Sequence, residues 1–190
     1  MPDLRRAGIS GFAPTHLIWS TAGQGQGVRS TSFAGLPVQH PPIQAVKEEA
    51  MSELNKSIVK RVPEEITSQG KFELIDEIFA PNFVDHTYVP AFGLSPGREG
   101  IRQFITMLRT GFPDIDIKVQ DSFAEGDKVV VRNLSKGTHT GEFMGMAPTG
   151  KEATWTEIHI VRFEGGQIAE HWANVDQLGI MRQLGALPTE

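Results

Sequence analysis

The sequence predicts an α+β fold, a cone-shaped α+β barrel in which N-terminal helices pack on a curved antiparallel sheet of four or more strands and enclose a pocket. Three observations carry this. Apolar residues recur at helical spacing between Ile43 and about Thr110. From Ile115 onward the pattern changes to period-two alternation, in four runs joined by short turns or loops. No helical run separates those strands, which distinguishes the class from βαβ.

The chain of 190 residues is long enough for one domain with a core and a tail. Hydrophobic content of 39% and charged content of 22% fit an ordinary soluble domain. A net charge of −5 speaks against a nucleic-acid partner. No apolar run approaches the roughly 18 residues that span a bilayer, so no membrane partner is expected. Cysteine is absent, which removes disulfides, thiolate zinc sites and cysteine nucleophiles and suits the cytoplasm.

Residues 1–42 form an N-terminal extension rich in Gly, Ser, Thr, Pro and Gln, as in TAGQGQGVRSTSFAG. Such a segment buries too little apolar surface to offset its ordering entropy and is expected to be disordered. Its three arginines, Arg5, Arg6 and Arg29, against one acid leave a transit peptide as the functional reading; Met51 as the natural start is a further one. The domain is assigned to residues 43–187. Ile43, Val46, Ala50, Leu54 and Ile58 make one apolar helical stripe, continued by Val62 and Ile66, and Pro63 within it should kink or divide the helix. Phe72, Leu74, Ile75 and Ile78 suggest a short helix stopped by Pro81. A further helix from about Gly97 to Thr110 presents Ile101, Phe104, Ile105 and Leu108 on one face. The strands follow: IDIKVQDSFA, KVVVRNLSKGTHT, EATWTEIHIVRF and QIAEHWANV.

Among motifs, GMAPTGKE (Gly145 to Glu152) imitates a phosphate-binding loop, but Glu152 stands where Ser or Thr would hold magnesium. It also joins two strands rather than a strand and a helix, so it reads as a hairpin loop. Asp176 reads as a helix cap. Asp85-His86 lies where helices meet sheet; along a strand the two point oppositely, so only one faces the pocket.

The informative stretch is Trp155 to Asp176, two strands around Glu164-Gly165-Gly166. A two-residue Gly165-Gly166 turn pairs Glu164 with Gln167 and sets His159 opposite Trp172. A three-residue loop pairs Phe163 with Gln167, setting His159 opposite His171 and Glu157 opposite Ala173. A one-residue slip moves every side chain to the other face. Two histidines on one face with Glu157 nearby would make a general acid/base group. The plainer reading is a polar network filling the cone. Zinc held by these histidines with Glu157 or Asp85 is a weaker reading without a tight motif such as HExxH, and no metal is assigned.

FAPNFVDH, GEFMGMAPTGK, EIHIVRF and GGQIAEHWANVDQLGIMRQLG together resemble the SnoaL-like polyketide cyclase or ester cyclase family, in the nuclear-transport-factor-2-like superfamily, from about Ser52 to Leu187. The resemblance implies a homodimer with an apolar small-molecule pocket and no cofactor. It favours the three-residue loop, because it places the sheet-centre histidine (His159 here) and the last-strand catalytic position on one cavity. In the family that position is an acid/base aspartate two residues after the histidine matched by His171; here it is Ala173. The expected catalytic set is His159, His171 and Glu157, with Asp85 or His86 in support. The expected ligand-binding lining is Trp155, Tyr88, Phe104, Val161 and Ala173. The function implied is a cyclase, isomerase or lyase step on a small apolar carbonyl or ester compound, with non-catalytic binding in the same pocket as the alternative.

Overall fold

The computed structural model describes residues 41–187, so all but the last two residues of the expected extension lie outside the described residues. Helix α1 (Ile43–Arg61) runs directly into a π-helical turn, Val62–Thr67. This is how Pro63 is accommodated. Proline crowds the preceding turn of an α-helix, and the wider turn relieves that crowding. The Pro63 carbonyl accepts from the Ser68 amide (3.0 Å) and hydroxyl (2.8 Å). The expected stripe on α1 is only half buried: Ile43, Val46 and Leu54 are exposed, and burial begins at Asn55 and Val59.

A 3₁₀ turn (Phe72–Leu74) and helix α2 (Ile75–Ile78) realise the predicted short helix. Strand β1 (Phe79–Asp85) follows at once, where the sequence suggested only a strand-like passage after Pro81. Pro81 is tolerated because β1 is an edge strand and its ladder is interrupted between Phe79 and Val84. A short helix α3 (Tyr88–Phe92) and the amphipathic α4 (Gly97–Gly111) complete the helical layer.

Strands β2 (Asp116–Glu125), β3 (Lys128–Thr138), β4 (Glu152–Glu164) and β5 (Gln167–Val175) form the expected meander. The sheet has five strands in the order β1-β5-β4-β3-β2, with β1 parallel to β5, so it is mixed rather than purely antiparallel. Helix α5 (Gln177–Leu184) closes the chain, and Asp176 caps it by accepting from the Gly179 amide (2.8 Å). Alternate residues of β4 point inward: Ala153, Trp155, Glu157, Val161 and Phe163 are buried, whereas Ile158 and Ile160 face outward.

The β4–β5 hairpin corrects the sequence reading in an instructive way. The turn is the two-residue one: Gly165 (φ 58°) and Gly166 (φ 83°) both take positive φ, and Glu164 pairs with Gln167. Yet the faces are those expected of the three-residue loop. Phe163 pairs with Ile168 but Arg162 with Glu170, so Ala169 is an extra residue, a β-bulge. The slip restores the parity. His159 stands opposite Ala173, Val161 opposite His171 and Glu157 opposite Val175, so neither His159–His171 nor Glu157–Ala173 is a direct pair.

Positive φ at both turn positions costs an L-residue about 1–2 kcal/mol each. Gly165→Val is therefore expected to lower stability by about that amount in urea unfolding, whereas Gly165→Asn, which tolerates the turn, is expected to be nearly neutral.

Candidate active site

The inner faces of β4 and β5 enclose, with α1, α4, α5 and the β3–β4 loop, a cavity of about 350 Å³. Its wall is mostly apolar: Phe104, Leu108, Phe112 and Val161 are typical. Polar groups concentrate where β4 and β5 meet. His159 Nε2 lies 2.8 Å from Glu157 Oε2, His159 Nδ1 lies 2.9 Å from His171 Nε2, and His171 Nδ1 lies 2.7 Å from Asp85 Oδ2. The Trp155 indole donates to Glu157 Oε1. Asp85 Oδ1 accepts from the backbone amides of Thr87 (2.8 Å) and Tyr88. Five residues on three strands thus form one continuous chain.

The topology explains why they meet. Residues 155, 157 and 159 share a face of β4 by alternation. The Ala169 bulge brings His171 onto the same face, and the parallel pairing Asp85↔His171 presents the acid from β1.

The electrostatics follow from burial and partners. Burial pushes the Asp85 carboxyl up, but the hydrogen bond and charge of His171 and the two amides outweigh it and hold it below the usual range. Burial likewise pushes Glu157 up, and the His159 and Trp155 hydrogen bonds more than offset that, so it too lies below its ordinary value. For His171 burial dominates and lowers its value despite Asp85. Tyr88 is raised well above the ordinary phenol value, first by burial and then by the Glu157 and Asp85 charges, and so stays a neutral O–H donor. Each of the three side-chain gaps needs one proton. With both carboxylates ionised, the two imidazoles together carry three N–H groups, one directed at Asp85, one at Glu157 and one shared between the rings. The group then carries a net charge of −1. This proton placement is assigned from the network.

Of the expected catalytic residues, Asp85, Glu157, His159 and His171 converge. His86 does not: strand alternation turns it to the opposite face, where it stacks on Trp172 (centroids 4.6 Å apart) and bonds to Glu170 at 2.9 Å. Of the expected lining, Trp155, Tyr88, Phe104 and Val161 border the cavity and Ala173 does not, its methyl lying between the longer His171 and Val175, which do. Tyr88 stacks on Phe104 with centroids 3.7 Å apart. Three polar lining residues escaped the sequence reading, Thr67, Gln177 and, on β3, Asn133. The available signal was parity: Val129 and Val131 point inward, and so must residue 133.

Residues 57–184 match the family model for SnoaL-like polyketide cyclases. Nogalonic acid methyl ester cyclase of Streptomyces nogalater is 25% identical over 118 residues, 61% of this chain and 87% of that protein. Aklanonic acid methyl ester cyclase DnrD of Streptomyces peucetius is 31% identical over 90 residues, 47% of this chain and 62% of that protein. Among solved structures, TsrD from Streptomyces laurentii superposes with a TM-score of 0.63 at 27% identity, covering 73% of this chain and 97% of that one. IdmH from Streptomyces antibioticus gives 0.60 at 33% identity, covering 69% and 98%.

A carboxyl whose folded value is depressed adds stability that is complete above its unfolded value, near 3.9, and lost as pH falls through the folded value. Asp85→Asn removes one charged hydrogen bond of about 1.5–3 kcal/mol and is expected to lower Tm at neutral pH by about 4–8 °C. The gap between variant and wild type in a Tm-against-pH series should narrow below about pH 4.

Proposed function

The chain belongs to the SnoaL-like polyketide cyclase family, and from that premise we propose that it is a cyclase-type enzyme running general acid/base chemistry on a small, largely apolar carbonyl or ester compound. One observation supports this above others: of the chain Asp85–His171–His159–Glu157, the last three members stand on the wall of a mostly apolar cavity. Taking two carboxylates out of water is costly unless each is paired, and both are.

In this reading Glu157 is the base. Both nitrogens of His159 are engaged, whereas the Glu157 carboxylate keeps unshared lone pairs and borders the cavity. It takes a proton from the carbon beside the substrate carbonyl, and the C–H electron pair becomes an enolate. The Tyr88 hydroxyl is the nearby neutral donor for the enolate oxygen. The enolate carbon then attacks a second carbonyl of the same molecule, and the proton on Glu157 passes to the new alkoxide. Reprotonation at a different carbon gives isomerisation instead. His159 holds the base in place and offsets its charge; His171 and Asp85 position His159. The resemblance leads one to expect an acid/base aspartate where Ala173 stands; Glu157, diagonal to Ala173 on the next strand, reaches the histidine opposite it.

Ala173 also favours a second reading, small-molecule binding without turnover. A panel of diketones, keto esters and lactones, followed for turnover and for ligand-induced thermal shift, separates the two. Enzyme activity predicts turnover of at least one compound, and Glu157→Gln and His159→Ala each lowering kcat by about 10²–10⁴-fold while the thermal shift persists. Shifts without any turnover would establish the binder, and wild-type rates in both variants would remove these residues from the mechanism.

A further inference from the structure

The β3–β4 loop forms part of the cavity wall through Phe143, Met144, Gly145 and Met146. Its two ends are tied by a side chain that the proposed chemistry does not use, His139. The ring is fully buried against Phe112 and Phe143, with centroids 5.4 and 6.5 Å away. Its Nδ1 accepts from the Thr149 amide (3.3 Å), ten residues along the chain, and lies 3.1 Å from the Thr149 hydroxyl. An amide only donates, so Nδ1 carries no proton and the neutral ring keeps its hydrogen on Nε2. That nitrogen is buried with no partner among the described residues. A second proton can land only on Nδ1, where it faces the Thr149 N–H, donor against donor. The hydroxyl can turn to accept it, but the ring's charge is then buried beside two phenyl groups with Nε2–H still unpaired. The surrounding elements carry Arg109 and Asp114 around the end of α4, Lys136 on β3, Glu142 in the loop, and Lys151 and Glu152 at the start of β4. None bonds to the ring: Arg109 is held by the Thr67 and Ser68 carbonyls, Asp114 by Thr138, and Lys136 by Glu152. Burial lowers the His139 value, and no charged neighbour offsets this.

We propose that His139 is a proton-operated latch on the cavity: neutral, it ties the ends of the β3–β4 loop together, and on taking a second proton its ring leaves its niche and the loop tip opens. The root of the loop stays in place. There His139 and Lys151 are joined through backbone (2.9 Å), as are Gly150 and His139 (2.8 Å), and the Thr140 and Gly141 amides bond to the Gly111 carbonyl. The moving part is the tip. Phe143 and Met146, linked by a reciprocal pair of backbone bonds (3.1 and 2.9 Å), lose the imidazole that Phe143 packs against. For a base whose value is lower in the closed form than in the open one, closure is fully favoured above the open value, near 6.5. It weakens as pH falls below that value. Opening is therefore about 5–10-fold more probable at pH 5.5 than at pH 7.5. The latch guards the cavity of the proposed function and rests on that reading only for its purpose.

The test is amide hydrogen exchange by NMR on the full chain, wild type and His139→Gln, at pH 7.5 and 5.5, corrected for the intrinsic pH dependence of exchange. The His139 ring is titrated in the same wild-type sample. Glutamine keeps an acceptor for the Thr149 amide but takes up no proton. The proposal expects the Phe143 and Met146 amides of wild type to lose about 5–10-fold in protection at the lower pH, and those of His139→Gln to keep theirs. It also expects these amides to exchange faster than those of β4 at both pH values, because the opening is local. Flat protection in wild type would overturn the latch, as would an equal fall in the variant. Loop amides that exchange only together with β4 would show global unfolding and overturn it too. Should His139→Gln fail to fold, the wild type decides alone: protection must fall as stated and the ring must titrate below 6.5, and a ring titrating at or above 6.5 sinks the proposal. No substrate enters these measurements. Failure of the latch therefore leaves the proposed function standing, and absence of turnover leaves the latch standing.

Discussion

The parallel pairing of β1 with β5 is the contact on which the site depends. It sets Asp85 beside His171 across 86 positions of sequence and joins their side chains at 2.7 Å. Without the acid, His171 Nδ1 would be a buried donor with nothing to receive its proton, and its other nitrogen would lose a fixed tautomer. His159 takes its orientation from that nitrogen, and Glu157 in turn bonds to His159. The order of dependence therefore runs from the sheet edge inward. Losing a hydrogen bond to a charged group typically costs about 1.5–3 kcal/mol, which is a substantial part of a domain's stability. Each member of this chain is thus held by the next.

The same arrangement explains the division of the core. One apolar cluster, around Ile75, Phe79, Val131 and Ile168, ties the helices to one end of the sheet. Another, around Phe112, Ile117, Trp155 and Leu184, packs the other end. Phe104 packs against both, and the acid/base chain sits on the cavity wall. A low-dielectric surround strengthens every interaction in that chain and penalises any group left unpaired.

Much of this was legible in the sequence. The four meander strands announce themselves by alternation and by glycine turns, and Asp85, Glu157, His159 and His171 stood out as titratable groups on facing segments. Strand β1 was harder, because a proline within seven residues argues against a ladder, and only an edge position excuses it. The apolar stripe of α1 did not reveal that Ile43, Val46 and Leu54 remain exposed, since periodicity shows that a face exists and not what covers it. Asn133 was hidden by Leu134, an exposed leucine that suggests the opposite parity for the strand. The hairpin was misread for a related reason. Turn geometry can be argued from Gly-Gly, but a bulge at an ordinary alanine leaves no local mark.

That bulge bears on what lengths of chain the site tolerates. Inside and outside on a strand are decided by counting in twos, so the hairpin obeys an odd–even rule. Swapping one side chain for another in β5 alters a single contact. Losing or gaining one residue between Gly166 and His171 would instead exchange the whole set, sending Trp172 towards the cavity and His171 to solvent. Two such changes on the same arm would cancel. The chemistry of this wall is therefore guarded less by the identity of Ala169 than by the number of residues that precede His171.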